Sequence, residues 1–335
     1  MEERRRKRWR FLAAGLLLAA AAIVLRRVWA ALLVQLAAGF VLMGCALPLC
    51  RRLERRTSPG AAAALSLAGM LAAAAATVAL LTPLLVRQMA QLRLDGAILW
   101  LQGAWDHLEG WLQGRGIDTE PLRAELFTRL PGLIGGVAEQ VASRLAGAAR
   151  GLAKLLLAPL LAFYFLRDRK RLCVLLALLL PVERRAQGVR AAREMKRETA
   201  VYLRGQLLLC ASVGALTAVA LLLTGTPGWL PLGLLMGVME VIPYAGPLLA
   251  GAPAVLLSLG NGLVRALWTT AALVGVQQVE GSFLSPRLLG GATRMHPALV
   301  LLLVSAGGLL GGAWGMMLAL PAAVALRGAV RGWRI

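Results

Sequence analysis

The chain has 335 residues, 59% of them hydrophobic, and a formal net charge of +21. Its mean hydropathy is +0.71, and the excess is gathered in long Leu/Ala/Val/Gly blocks of the kind that mark membrane spans, which need ~20 apolar residues. A soluble nucleic-acid-binding protein is excluded, because the positive charge falls in clusters between those blocks, at residues 4–10, 51–56, 167–171 and 184–204, without any DNA- or RNA-binding motif. Such clusters mark cytoplasmic loops, since translocating positive charge is disfavoured and inner leaflets are anionic.

Residues 11–25 form a short apolar block preceded by arginines, only about 22 Å long as a helix. The small residues Ala19 to Ala22 would also suit a cleaved signal peptide, but the block 28–49 follows at once. A short tilted pair of spans joined at Arg26–Arg27 is the reading adopted. Residues 61–86 make a third span, completing an N-terminal unit over residues 1–86.

Residues 87–150 differ in composition: acids nearly balance the arginines, which places the segment outside. Leu94, Ile98, Leu101, Trp105, Leu108 and Leu112 alternate by four and three, the stripe of an amphipathic helix. Trp100 and Trp111 widen the stripe, and His107 rides on the same helix facing solvent. Gly114 and Gly116 close it, and a second amphipathic helix starts at residues 118–121. This is a structural cap on the bundle before it is a substrate-binding surface.

A C-terminal transport core occupies residues 151–335. Residues 152–166 span, and 167–204 are cytoplasmic and basic, with a surface helix over 184–204 whose weak apolar face is Ala192, Met195, Thr199 and Tyr202. Residues 205–223 span again and end at the Gly/Pro/Thr turn 224–228. Residues 230–259 are apolar but interrupted by Pro231, Pro243, Gly246, Pro247, Gly251 and Pro253. Proline removes a helix donor and clashes with the preceding turn, and a straight helix here would reach about 45 Å against a ~30 Å core. The block is therefore a kinked span or a re-entrant hairpin around residues 242–247. Irregular backbone at membrane depth survives where protein or a water cavity satisfies it, which in transporters is the substrate path. Residues 263–279 and 298–326 are the last spans. In the latter Gly307, Gly311 and Gly315 recur every four residues, the spacing that lets helices approach closely. The fold class is all-α: a polytopic bundle of about eight membrane helices, both termini inside as the basic clusters require.

Charged side chains at membrane depth cost ~2.5–3.5 kcal/mol or more and are kept for function. Glu240 lies directly before the break at Pro243, and Glu280 ends the span 263–279 after Gln277 and Gln278. A carboxylate beside unwound backbone can bind a cation or carry a proton, because its charge and the freed carbonyls act together. The competing role for Glu240 is a hydrogen bond to a neighbouring helix, and for Glu280 a place at the interface. His296, before Pro297, reads first as a helix cap and second as a titrating group.

Cys45, Cys50, Cys173 and Cys210 form no CxxC pair and lie in or beside apolar blocks, so they read as small buried hydrophobes and no cofactor or metal is expected. Enzyme motifs are missing too: there is no HExxH, GxSxG or P-loop.

The runs Glu240-Val-Ile-Pro-Tyr-Ala-Gly-Pro247, Val279-Glu-Gly-Ser-Phe-Leu-Ser-Pro-Arg-Leu-Leu-Gly290 and His296-Pro297 resemble the AI-2E transporter family. So do Gly307-Gly308 with Gly315-Met-Met-Leu-Ala-Leu-Pro321, and earlier Phe163-Tyr-Phe-Leu-Arg-Asp168 and Tyr202-Leu-Arg-Gly-Gln206, all in the family's order. The resemblance implies about eight spans, a variable extracytoplasmic helical segment after the third, and a bacterial inner membrane. Members are linked to export of autoinducer-2 in quorum sensing, others to exchange of sodium or lithium for protons, and one branch to sporulation. Ala245 stands where the family often has a bulkier residue, and Gly281 replaces a frequent asparagine.

The expected function is a secondary transporter of a small solute or signal coupled to a cation or proton. A sodium/proton antiporter and a structural scaffold in sporulation or assembly are the alternatives. The candidate path residues are Glu240, Pro243, Tyr244, Gly246, Pro247, Gln277, Glu280, Pro286 and His296, with Gly307, Gly311 and Gly315 for packing. The expected partners are the lipid bilayer, a small-molecule or monovalent-cation substrate and a second copy of the chain, with no nucleic acid.

Overall fold

The computed structural model describes residues 2–90, 157–178, 180–242, 245–289 and 295–334, with separate positions between 102 and 136; side chains before Val28 lie outside the described part. Among the described residues every regular element is helical.

Helix α1 runs unbroken over Glu2–Leu53, so the expected pair of short spans joined at Arg26–Arg27 is one helix. Two consecutive arginines carry good helix propensity and neither glycine nor proline interrupts them, so charge alone does not end the helix. It stops after Arg51 and Arg52, where the Thr57 hydroxyl donates to the Leu53 carbonyl at 2.9 Å. Ser58 then accepts from the Ala61 N–H at 3.3 Å and Pro59 opens α2 (Pro59–Ala90), the serine-cap and first-turn-proline pair that starts helices.

Between residues 102 and 136 the described positions are helical except for a turn at Arg115; Gly114 and Gly116 lie outside the described residues. Arg123 bridges back to Glu109 at 3.1 Å and Asp106 at 3.2 Å, and Trp105 is buried. His107 lies outside the described residues.

Helices α3 (Leu157–Arg167) and α4 (Arg169–Leu178) lead into α5 (Arg185–Leu223). Helix α5 joins the expected cytoplasmic helix 184–204 and the expected span 205–223 into one rod. Gly205 does not break it; the missing side chain leaves room for the Leu288 carbonyl. Its weak apolar face is real, with Tyr202 and Thr199 fully buried.

Next come α6 (Trp229–Met239), α7 (Ala245–Leu259), α8 (Leu263–Val279), a π turn (Glu280–Leu284), α9 (Ser285–Leu289) and α10 (Pro297–Arg334). One core gathers α5, α6, α7, α8 and α10 around Tyr202, Leu221, Leu232, Met236 and Val324. A second gathers α1, α2 and α3 around Cys50, Ala62, Ala63, Ala162 and Leu166. Large side chains such as Leu223, Leu248 and Leu309 are strongly exposed, as expected of helices whose outer faces meet lipid rather than water.

Among the described residues four helices are long and apolar enough to cross a membrane: Val28–Leu53, Pro59–Leu84, Val182–Leu223 and Pro297–Arg334. The last is not a straight rod. Its backbone leaves helical values at Gly311 (φ −140°, ψ 16°) and Gly312 (φ 59°, ψ −142°), and a methyl on Gly307 would strike the Gly315 carbonyl and one on Gly315 the Gly307 carbonyl. In a straight helix eight residues separate those positions by about 12 Å, so the chain doubles back. The expectation of one span with a glycine face is corrected here: Gly311 and Gly312 are the turn, and Gly307 and Gly315 pack the two arms against each other. Only the glycine at Gly312 needs the left-handed φ that other residues avoid.

The returning arm of α10 is fastened to α5. Glu198 accepts from Arg327 at 3.0 and 3.1 Å and from Arg331 at 2.7 Å. Gly328 and Gly332 sit against the backbone of Met195 and Ala191, a glycine pair at four-residue spacing that the sequence reading passed over.

Candidate transport cavity

The segment 230–259 is a helical hairpin. Helix α6 has 11 residues and α7 has 15, about 16 Å and 22 Å, each short of the ~30 Å a crossing helix needs. At the open end the Thr226 hydroxyl is 3.0 Å from that of Ser258, so the arms return to one level. Thr269 of α8 joins them at 2.9 Å from both, and all three hydroxyls are buried. At the tip, the Ile242 N–H donates to the Met239 carbonyl at 2.9 Å and the Gly246 N–H to the Ile242 carbonyl at 2.8 Å. Gly246 lies directly on the Met239 carbonyl, where a side chain would not fit. Pro243 and Tyr244, at the tip itself, lie outside the described residues.

Small residues let this hairpin approach α5. Gly233 packs on Ala218, and Gly237 on Gly214 and the Cys210 carbonyl. That contact brings Gln206 close enough for its Nε2 to donate to the Glu240 backbone carbonyl at 2.9 Å. The freed carbonyl at the end of α6 is thus met by a side chain from α5, as buried backbone requires.

Helix α8 ends in the π turn that carries Glu280. The Ser285 hydroxyl donates to Glu280 Oε1 at 2.6 Å. π turns inside helices recur at functional sites because they turn side chains away from the regular spiral.

These pieces enclose a cavity of about 420 Å³, into which Gln206, Glu240, Pro247, Gln277, Glu280 and Ser285 bring polar groups or proline, with Leu209, Leu289, Val300, Leu320 and Val324 as apolar wall. The tip of the α6–α7 hairpin therefore meets the open end of the α10 hairpin, whose Pro297, Val300, Leu320 and Val324 line the same space. The other tip, at Gly311, rests on Val34 of α1. Glu240 is 5% exposed, and among the described residues its Oε2 has no hydrogen-bond partner, nor has the buried Nε2 of Gln277.

A sequence profile described as AI-2E family transporter matches residues 12–335. The chain belongs to the AI-2E transporter family. YueF of Bacillus subtilis (strain 168), which carries a provisional transport-protein name, is 37% identical over 163 residues, 49% of this chain and 44% of YueF. YrrI of the same organism, named likewise, is 35% identical over 169 residues, 50% of this chain and 48% of YrrI. PerM of Escherichia coli (strain K12), with a provisional permease name, is 29% identical over 183 residues, 53% of this chain and 51% of PerM. The matched stretch of this AI-2E family chain spans about half the length of each of these relatives.

Of the candidate path residues, Glu240, Pro247, Gln277 and Glu280 come together around the cavity, and Gly246 holds the tip that presents them. Pro286 is exposed on α9 and outside the lining. His296 accepts the Ala298 N–H on Nδ1 at 3.3 Å, the cap role, and does not line the cavity. Gln206 and Ser285 were missed as site residues, although both stand inside motifs already quoted for the family. What the linear reading lacked was the packing of α5 on α6 and the turn that brings Ser285 back to Glu280.

Proposed function

We propose that the chain is a secondary transporter whose path runs through this cavity, with Glu240 and Glu280 as the groups that take up the coupled cation or proton. The observation carrying the reading is Glu240: a buried side chain whose Oε2 has no partner among the described residues, at the tip of a helical hairpin. A buried charge is costly without a partner, so the site favours a proton or cation there. Membership of the AI-2E family supports transport as the class of activity, and the arginine clusters at 51–56, 167–171 and 184–204, with Arg327 and Arg331 held on Glu198, support a bacterial inner membrane with the C-terminus inside. In this reading residues 87–150 form an extracytoplasmic cap, and the α6–α7 hairpin enters the bilayer without crossing it. Of the eight apolar segments, those that form hairpins line the path.

The test is reconstitution of the purified protein in sealed liposomes holding a pH-sensitive dye, with sodium or lithium pulses across a pH gradient. Solute- or cation-driven proton movement in the wild type, lost in Glu240→Gln, is the expected result. Unchanged movement in Glu240→Gln removes that residue from the mechanism.

A further inference from the structure

We infer that the cavity is a binding site for a small organic cation with an apolar body, rather than for a bare metal ion or a neutral polyol; this rests on the reading of the cavity as the transport path. Size is the first reason. A volume of about 420 Å³ falls in the ~300–1,000 Å³ range of pockets for small organic molecules, far more than one dehydrated monovalent ion fills. Charge is the second. Glu240 and Glu280 both line the space, and among the described lining residues no lysine, arginine or histidine answers them. Arg287 is exposed and stands 5.8 Å from the ring centroid of Phe283, outside the lining. Arg294 lies outside the described residues.

The unfilled hydrogen-bonding capacity adds a third reason. Ser285 already satisfies one oxygen of Glu280 at 2.6 Å, whereas Glu240 Oε2 is buried and has no partner among the described residues. An ammonium or guanidinium group supplies the donor and the countercharge at once, which a hydroxyl does not. The rest of the wall, Leu209, Leu289, Val300, Leu320 and Val324, offers such a ligand only dispersion and desolvation of its apolar body. The ligand class is therefore a protonated amine carrying an alkyl or aryl group, its charge set between Glu240 and Glu280.

The test is equilibrium dialysis of the purified full-length protein in neutral detergent, against a micelle-only blank. The probes are benzylammonium and its uncharged carbon isostere, ethylbenzene. The expected result is saturable binding of the cation alone, weakened about tenfold or more in both Glu240→Gln and Glu280→Gln. In the wild type, acidification should also displace the probe, a readout that needs no variant to fold. Equal binding of the isostere overturns the inference, because the cavity is then merely apolar. So does cation binding unaffected by both glutamine variants, or no cation binding at all. If binding fails while Glu240-dependent proton movement in liposomes persists, the path stands and only the ligand class falls. If both fail, the reading of the path falls with it.

Discussion

Removing the carboxylate of Glu198 should loosen the returning arm of α10 from α5 far more than removing either arginine's reach at the rim. Glu198 is 7% exposed, Arg327 24% and Arg331 54%. The acid accepts three bonds, two on Oε2 from Arg327 at 3.0 and 3.1 Å and one on Oε1 from Arg331 at 2.7 Å. Breaking a fully buried pair by deleting one partner costs ~3–5 kcal/mol, but here the guanidinium groups are partly solvated and recover water. Glu198→Ala should therefore destabilise by roughly 2–4 kcal/mol. Arg331→Ala should cost under about 1 kcal/mol, since more than half of that side chain is exposed and its bond competes with water. The assay is unfolding of the purified protein by dodecyl sulfate in mixed micelles, followed by far-UV circular dichroism. A double-mutant cycle should couple Glu198 to Arg327 more strongly than to Arg331. If Glu198→Ala and Arg331→Ala prove equal within about 0.5 kcal/mol, the burial argument is wrong and the three residues are only a surface cluster.

Three further outcomes follow from particular contacts. Arg169 donates to Glu54 at 2.6 Å and that hydrogen bond holds the Glu54 carboxyl below the usual carboxylate range. A depressed folded value contributes stability above the unfolded value of about 4.3, lost as pH falls through the folded one. The thermal midpoint of the wild type should thus drop more steeply on acidification than that of Glu54→Gln. Gly315→Ala puts a methyl on the Gly307 carbonyl, whereas Gly275, on α8, has open space around it. The first should cost about 1–3 kcal/mol or more in the same unfolding assay, and Gly275→Ala should be neutral or stabilising by up to ~1 kcal/mol. Thr269→Val leaves Thr226 and Ser258, both buried, without their shared partner, and should cost about 1–3 kcal/mol. A neutral Thr269→Val would show that the open end of the α6–α7 hairpin is held by apolar packing alone.

The helical class, the break in residues 230–259 and the two acids of the cavity were legible in the sequence, because each rests on a local property. Hydropathy sums along the chain, proline acts on its own turn, and a glutamate among leucines stands out at once. The continuity of α1 and α5 was not legible, for a physical reason. Arg26–Arg27 and Arg204–Gly205 stand as boundaries because charged and apolar stretches meet there, yet neither removes a backbone hydrogen bond, and a helix ends only where something does.

The glycines of α10 mark the deeper limit. Spacing of four puts Gly307, Gly311 and Gly315 on one face only if the helix continues through them, and that condition is what the sequence leaves open. A helix face and a hairpin seam both ask for small residues where backbones touch. They differ in whether one residue takes a left-handed φ, and Gly312, at 59°, lies outside the spaced set. Five glycines in nine positions, 307–315, lower the cost of leaving the helix as much as they favour close contact, since glycine in a helix interior costs about 0.5–1 kcal/mol relative to alanine. Density rather than spacing was the better signal. The same reasoning explains Gln206: nothing in its own segment distinguishes it from a surface amide until Gly214, Gly233 and Gly237 are seen to draw α6 onto α5 and deliver the Glu240 carbonyl to it. Where glycines are dense on two apolar segments, the polar residue one or two turns from the contact is the one to examine for a role in the cavity.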